Sequence, residues 1–421
     1  MSNFGTMYVF ELRKIFKRKI VGITLCVMLV VCIFMGIAET LNTSVYTDGE
    51  NTVEVSGYEA LQKEKENAVS ISGLAIDQAL LNEVGEAYKC VYYYSKYLDE
   101  SISTSSMAAD ITEEESQQEL QERKMARERF QRIYWYLYQI TGDYNAVHVL
   151  DEESLYQARM DYIQSEWEGQ KLTPEEEAYW QEKEKNIKKP FVYGYADGWD
   201  NFFDELYTMN VLLVLATAVC LSGVFSDEHV RKTDQLILCS RLGKKTLYGA
   251  KILAGITFGV SCAALMYVAS LISTLLVYGA DGFDVALQLC APMESWNITV
   301  GQAVLLMSLI YFVVAVLYSV IAMFLSEALR SSVAVMGLMT GGMFFTLMFG
   351  VSVKYRILSQ IYELLPTLIM GMWKFTDYRL VKIFGIYFTN MQIAPILYIL
   401  FSVILILLGK RIYRNYQVSG R

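Results

Sequence analysis

Apolar residues along this chain are gathered into long blocks that are separated by polar stretches. A helix that crosses a membrane needs about 20 consecutive, mostly apolar residues, and six blocks reach or approach that length. We predict spans at Ile20–Ala38, Leu206–Phe225, Ile252–Tyr278, Gln302–Leu325, Ser332–Val353 and Ala394–Leu408. The hydropathy pattern therefore predicts an all-α polytopic membrane protein with six transmembrane helices.

Residues 39–205, between the first two predicted spans, are polar and have a helical period. Apolar residues recur there at alternating steps of four and three, as in helices that pack against each other. The two seams are Leu80, Val84, Ala87, Val91, Tyr94 and Leu98, and then Ala126, Phe130, Ile133, Leu137 and Ile140. Thr112 with Glu115 has the form of a capping box, and Thr173, Pro174 and Glu176 mark another helix start, with proline at the first helical position. We predict an all-helical domain, whose tyrosine-rich stretches 92–94 and 134–138 form either a binding surface or ordinary helix packing.

Charge divides the chain in the same way as hydropathy. Residues 39–205 carry 35 acidic and 15 basic residues, a net charge of −20, whereas the rest carries +11 and the whole chain −9. Cytoplasmic loops of membrane proteins are enriched in Lys and Arg. Placing both termini in the cytosol puts 16 of the 21 basic residues outside the acidic block on the inner side. We therefore expect a multi-pass protein of the bacterial cytoplasmic membrane with residues 39–205 extracytoplasmic.

Two apolar stretches, the first one and Ile357–Trp373, each allow two interpretations. The first apolar run is longer than the roughly 7–15 residues of a signal-peptide core, so we predict an uncleaved first span. The apolar stretch Ile357–Trp373 could be a seventh span, but that would move the basic C-terminus to the outer side. Pro366 and Gly371 also interrupt it. We predict a re-entrant helix pair before span six.

Motifs for hydrolytic or metal chemistry are missing from the sequence. Residues 243–246 superficially resemble a phosphate-binding P-loop, but Leu238 stands where that motif needs its first Gly, and Lys245 precedes the Thr. The two histidines, His148 and His229, fall in different predicted compartments, and no HExxH, GxSxG or His/Cys cluster is present. We expect no catalytic residue, no metal site and no cofactor bound by this chain.

Ion-coupled transport is disfavoured by the composition of the predicted spans. Ion-driven transporters usually place ionisable side chains within the membrane, and the apolar stretches contain none well inside. If the protein moves a substrate uphill, the energy is expected from another subunit.

Two further patterns concern contacts between segments. Cys90 and Cys290 both fall in predicted outer segments and could form a disulfide, but spacing alone does not set connectivity. Small residues spaced four apart allow close helix contact, within or between subunits. Such pairs are Gly255 with Gly259 in span three, and Gly337 with Gly341 in span five.

The loop 226–251, between spans two and three, combines charged residues with a leucine-rich centre. This composition predicts a short amphipathic helix parallel to the membrane, which offers an apolar ridge and charges to a cytosolic partner. The alternative is a basic inner loop that only follows the orientation rule.

The loop resembles the coupling-helix region of permeases of the type-2 class of ATP-binding-cassette (ABC) exporters. The matching residues are, in order, Phe225, Glu228, Thr233, Leu236, Leu238, Ser240-Arg241, Gly243-Lys244 and Ala250-Lys251. The family's usual Gly before the Thr is Lys232 here, and the Pro that often follows the leucines is absent. The N-terminus is similar to the family's amphipathic elbow helix through Phe10, Glu11, Leu12, Ile15 and Phe16.

The resemblance implies an elbow helix and first span in 1–38, an extracytoplasmic domain in 39–205, and spans two to six in 206–421. It implies a separate cytosolic ABC ATPase in two copies, which would bind ATP and Mg, and a second permease, either identical or a sibling. Membrane lipid is a further expected partner, and nucleic acid is not. The residues expected to couple to the ATPase are Glu228, Arg231, Thr233, Leu236, Leu238, Arg241, Lys244 and Lys251.

The function expected from these features is that of the transmembrane permease of an ABC exporter, without enzymatic activity of its own. A domain of charge −20 would attract cationic peptides, which favours peptide export or immunity against antimicrobial peptides. The alternative is a non-transporting membrane sensor or scaffold, whose outer domain binds a ligand and signals through the inner loop.

Overall fold

The computed structural model describes residues 3–41, 44–48, 52–88, 117–143, 146–230 and 246–415. The helices before residue 190 are α1 Asn3–Phe16, α2 Lys19–Ala38, α3 Tyr58–Ser70, α4 78–88, α5 Gln117–Thr141, α6 Glu152–Gln170 and α7 Pro174–Lys185. Those that follow are α8 Asp197–Leu221, α9 Gly223–Val230, α10 Thr246–Tyr278, α11 Val300–Leu329, α12 Ser332–Met348, α13 Arg356–Glu363 and α14 Asn390–Asn415. Two antiparallel hairpins pair β1 Ser44–Asp48 with β2 Thr52–Ser56, and β3 Leu380–Ile383 with β4 Ile386–Thr389.

Five helical segments of the described chain are long and apolar enough to cross a membrane. They are α2, α8 continued by α9, α10, α11 and α14. These segments coincide with five of the six predicted spans. The chain is therefore a helical polytopic membrane protein.

The fifth predicted span has a different form from the other five. Helix α12 has 17 residues and ends at Met348, and Val353–Glu363 continues at an angle of 112° to it. Only this bent pair, counted as one span, brings the total to six. Extended backbone at Phe349 and Ser352 separates the two members, and the Ser352 hydroxyl accepts a hydrogen bond from the Lys354 amide to start the next turn.

The segment 357–373 was predicted as a helix pair, and the structure differs there. Helix α13 ends at Glu363, and a short 3₁₀ turn at Met372–Lys374 follows. Pro366 has no amide hydrogen to continue a helix, which agrees with the break. The hairpin β3–β4 then leads directly into α14, at a place where no strand was predicted.

The chain divides into two compact units. The first, called the transmembrane unit, comprises Met1–Gly36, Phe202–Thr274 and Val304–Arg421. The second, called the polar unit, comprises Ile37–Asn201 and Leu275–Ala303. Residues 279–301, which connect predicted spans three and four, thus belong to the polar unit.

The core of the polar unit is built on the two predicted seams. Buried residues from both seams form one cluster with side chains of the 147–193 region. The seam members in this cluster are Leu80, Val84, Ala87, Phe130, Ile133, Leu137 and Ile140. Tyr134 and Tyr136 are also buried there, as expected for ordinary helix packing. The seam positions Val91, Tyr94 and Leu98, tyrosines 92–94, the start at Thr112–Glu115, and Cys90 lie outside the described residues.

The start of α7 confirms the helix start predicted at Thr173–Glu176 and shows that it is a capping box. The Thr173 hydroxyl accepts a hydrogen bond from the Glu176 amide, and the Glu176 carboxylate accepts one from the Thr173 amide. Pro174 occupies the first helical turn, where the missing amide hydrogen has no intrahelical partner to lose.

A buried arginine links three segments of the polar unit. Arg159 of α6 is 1% exposed. Its guanidinium binds the Glu184 carboxylate of α7 through two nitrogens and donates to the carbonyl oxygens of Pro292 and Glu294. This fork holds the loop 287–297 against α6 and α7.

The Glu294 carboxyl beside this arginine predicts a pH-dependent stability. Burial raises its pKa well above the ordinary value, and Arg159 only partly offsets that effect. A raised pKa in the folded protein means that stability is greatest below the ordinary pKa and is lost as pH rises through the folded one. We therefore expect wild type to lose stability relative to Glu294→Gln as pH rises. Thermal unfolding of both proteins over a pH series measures this, and a constant difference would contradict it.

Helices α10 and α11 approach closely where α10 carries glycine. A Cβ built on Gly255 would overlap the Met323 side chain, and one on Gly259 would overlap Ser319. The glycine pair of predicted span three therefore serves packing within the chain. The pair on α12 has no atom within 4 Å of its would-be Cβ atoms.

This difference predicts that the same substitution destabilises the protein at one glycine and has little effect at the other. Gly259→Leu should reduce the free energy of unfolding by about 1–3 kcal/mol or more, because overpacking forces two helices apart. Gly341→Leu should change it little, since that position opens to free space. Denaturant unfolding of both variants in detergent measures the effect. Equal stabilities would contradict the close contact.

Candidate functional site

Two segments singled out in the sequence meet in one cluster of charges. Glu228 in α9 accepts hydrogen bonds from Lys14 of α1 at 2.7 Å and forms an ion pair with Lys251 of α10 at 2.6 Å. Lys14 also lies 3.5 Å from Glu11, one turn earlier in α1. Glu11, Lys14, Glu228 and Lys251 are called here the ionic anchor. Its two acids and two bases balance each other.

Lys251 is the most buried member of the ionic anchor. Its side chain is fully buried, and its ammonium also donates to the Val224 carbonyl oxygen at 3.0 Å. The same nitrogen lies 4.8 Å from the centre of the Phe225 ring. A buried ammonium needs such partners because an isolated charge is costly away from water. Lys251 thereby fixes the start of α10 against α9.

The residues on either side of Glu228 bind the turn between α1 and α2 and the helix α11. Asp227 forms an ion pair with Arg18, at 2.9 Å, and Arg18 also donates to the Gly223 carbonyl. His229 lies 3.4 Å from the Glu327 carboxylate near the end of α11. Three successive side chains of α9 thus point to three different neighbours.

A group of serines continues this connection. The Ser326 hydroxyl accepts hydrogen bonds from the amides of Phe225 and Ser226, and it donates to the Ser222 carbonyl. The Ser226 hydroxyl lies 2.6 Å from that of Ser332, the first residue of α12. These contacts join the break between α8 and α9 to α11 and α12.

Polar contacts connect the helices on both sides of the segment 231–245 to other helices of the transmembrane unit. The segment 231–245 begins directly after α9 and ends directly before α10. Its two flanking helices are joined to each other and to α1, α11 and α12 by buried polar contacts. A displacement of the segment would therefore reach several helices at once. In the described part of the chain, no group of three His, Cys, Asp or Glu residues could hold a metal ion.

The predicted site residues are only partly covered by the structure. Glu228, Lys251 and Glu11 come together in the ionic anchor, and Ile15 is buried on the same face of α1. Leu12 is half-buried, while Phe10 and Phe16 are exposed. The others lie outside the described residues: Arg231, Thr233, Leu236, Leu238, Arg241 and Lys244.

Several members of the site were not predicted as such. The predicted residues of the elbow helix and the coupling loop do not include Lys14, Arg18, Glu327 or the serines. The predicted spans contain no ionisable residue well inside their apolar stretches. The structure buries such residues at the span boundaries instead: Glu205, Glu228, Lys251 and Glu327. Hydropathy cannot find them, because one charge at the end of an apolar run looks like a loop residue.

Comparisons of the chain with protein-family models, curated proteins and solved structures find no match.

Proposed function

We propose that this chain is the transmembrane permease subunit of a bacterial ABC exporter, driven by a separate cytosolic ATPase. The observation that carries the proposal is the ionic anchor. It joins the predicted elbow helix α1 to both flanks of the predicted coupling loop, as a force-transmitting connection requires. No enzymatic activity is assigned to the chain itself.

In this proposal the ATPase binds the segment 231–245 through the leucines and bases that resemble a coupling helix. Movement of the segment passes through α9 and α10 to the spans. Helix α1 lies on the inner leaflet with its exposed Phe10 and Phe16 in lipid. Both termini are cytosolic, and residues 39–205 are extracytoplasmic. Two permeases, identical or sibling, face two ATPase subunits.

The substrate class that fits best is cationic peptide. The acidic surplus of residues 39–205 raises the local concentration of cations at the outer side. Export of peptides, or removal of antimicrobial peptides from the membrane, would use that attraction.

Co-purification from the native host tests the partner. The solubilised wild-type protein should bring down a nucleotide-hydrolysing subunit, and the double variant Leu236→Asp/Leu238→Asp should lose it. Val149→Asp is the matched control, because it makes the same change at a residue of the polar unit that is 71% exposed. The control should retain the ATPase.

Two results would overturn the exporter proposal. One is the absence of any ATPase with wild type under conditions in which other ABC complexes of the same host survive. The other is equal retention by all three proteins. Either result would favour the alternative, a membrane sensor or scaffold that signals through the inner segment.

A further inference from the structure

A carboxylate is buried in the transmembrane unit far from the ionic anchor. Glu205 lies about two turns into α8 and is 5% exposed. Its Oε1 atom lies 2.6 Å from the Thr274 hydroxyl, and its Oε2 atom is bonded to the Ser270 hydroxyl. Both hydroxyls belong to α10, and both residues are fully buried. This carboxyl group therefore joins α8 directly to α10.

No cation balances Glu205 among the described residues. The titratable groups that interact electrostatically with it are the adjacent Asp204 and the Cys32 thiol of α2, and both become negative when they ionise. An unpaired charge buried within a membrane protein is costly, and such residues are usually functional. The surroundings of Glu205 thus favour its neutral form.

The hydrogen bonds around Thr274 lead to the same conclusion. Its hydroxyl oxygen also lies 2.9 Å from the Ser270 carbonyl oxygen. A hydroxyl group has only one hydrogen, so it cannot donate fully to that carbonyl and to a charged Glu205 at once. A protonated Glu205 supplies its own hydrogen to Thr274, whose hydrogen then goes to the carbonyl. The neutral acid satisfies both contacts.

We propose that Glu205 is a proton-binding site, occupied at neutral pH, that fastens α8 to α10. When the proton leaves to water, the carboxylate keeps one negative charge in a buried place without a cation. The charged carboxylate is then stabilised either by its hydrogen bonds to Ser270 and Thr274 or by water, and water draws it away from α10. Release of the proton therefore loosens α8 from α10.

The position of Glu205 gives this proton a directional role. Lys251 and Ser270 are separated by roughly 29 Å along α10, at 1.5 Å per residue. That distance is close to the thickness of the hydrocarbon layer, about 30 Å. Helix α10 is therefore fastened near both membrane boundaries, by Glu228 at one and by Glu205 at the other. The proton is exchanged on the side opposite to the ionic anchor, whether or not an ATPase binds there.

Thermal unfolding of the purified full chain over a pH series tests the proposal. Glu205→Gln mimics the protonated acid at all pH values, and the comparison runs from about pH 5 to about pH 9. A proton retained in the folded protein makes wild type lose stability relative to Glu205→Gln as pH rises above the ordinary range of Glu. The matched control is Asp204→Asn, an exposed carboxylate in the same turn. Its pH-dependent difference from wild type should be smaller.

A second measurement uses the wild-type protein alone. A hydrophobic carbodiimide reacts with protonated carboxyl groups, and mass spectrometry locates the modified residue. Modification of Glu205 at neutral pH, declining as pH rises, is expected. A stability difference that stays constant over the pH series would overturn the proposal, as would a Glu205 that stays unmodified at neutral pH.

Discussion

Replacing Glu228 with methionine is expected to reduce the free energy of unfolding by about 3–5 kcal/mol, because the change leaves a buried charge without its counter-ion. Lys251 is fully buried, and Glu228 is the carboxylate that it contacts at 2.6 Å. The Val224 carbonyl and the Phe225 ring remain as uncharged partners, and Glu11, the other acid of the ionic anchor, compensates the charge only through space. Denaturant unfolding in detergent measures the loss.

The double variant Glu228→Met/Lys251→Met removes both charges of the buried pair. Comparing its stability with that of Glu228→Met distinguishes the cost of an unpaired Lys251 charge from the cost of losing the contact itself. The double variant should regain most of the stability, because apolar residues of similar volume often replace a buried ion pair at little cost. Lys14, which is half-buried, can turn its ammonium to water.

Asp227→Asn is the matched control for position. Asp227 is the next residue in the chain, and its ion pair with Arg18 is partly exposed. Its loss should cost no more than about 1 kcal/mol. Two results would contradict a stabilising ionic anchor: equal losses for Asp227→Asn and Glu228→Met, or a double variant as unstable as the single one.

The long apolar runs and the helical seams could be predicted from the sequence, because each depends on the spacing of apolar residues within one segment. Five spans and the buried members of both seams follow from that spacing. The contact between Arg18 and Asp227 joins positions 209 residues apart, and no local period encodes it. The hairpin β3–β4 is likewise short and only partly alternating, so its strands lack a recognisable pattern.

The candidate site was predicted in part for the same reason. Glu228 and Lys251 stand at the two ends of a loop, where a family resemblance could identify them. Their burial could not be predicted, since both lie next to apolar runs at positions where a solvated charge is normal. Glu205 shows the same limit, because its partners Ser270 and Thr274 are on another span. The role of a charged residue at a span boundary can therefore be assigned only when the packing of the neighbouring helices is known.

Replacing Arg159 with leucine is expected to cost the polar unit about 3–5 kcal/mol, since Arg159 is the centre of a buried network. The change removes the fork that binds Glu184 and the donor of the Pro292 carbonyl oxygen, while the Glu294 carbonyl oxygen keeps the Gln288 side-chain amide at 3.2 Å. Glu184 retains Lys189 at 2.9 Å, which is one-third exposed and cannot reproduce the fork. Amide hydrogen exchange in α6 and α7 should therefore accelerate strongly.

Two matched variants test whether the effect comes from the buried guanidinium fork of Arg159. Arg129→Leu makes the same change at an exposed position of α5 and should leave exchange in α6 and α7 nearly unchanged. Arg159→Lys keeps the charge but has no planar fork, so its exchange rates should fall between those of wild type and Arg159→Leu. If Arg159→Lys behaves as wild type, charge alone holds the loop 287–297 in place. If Arg129→Leu accelerates exchange equally, the buried position of Arg159 has no special role in stability.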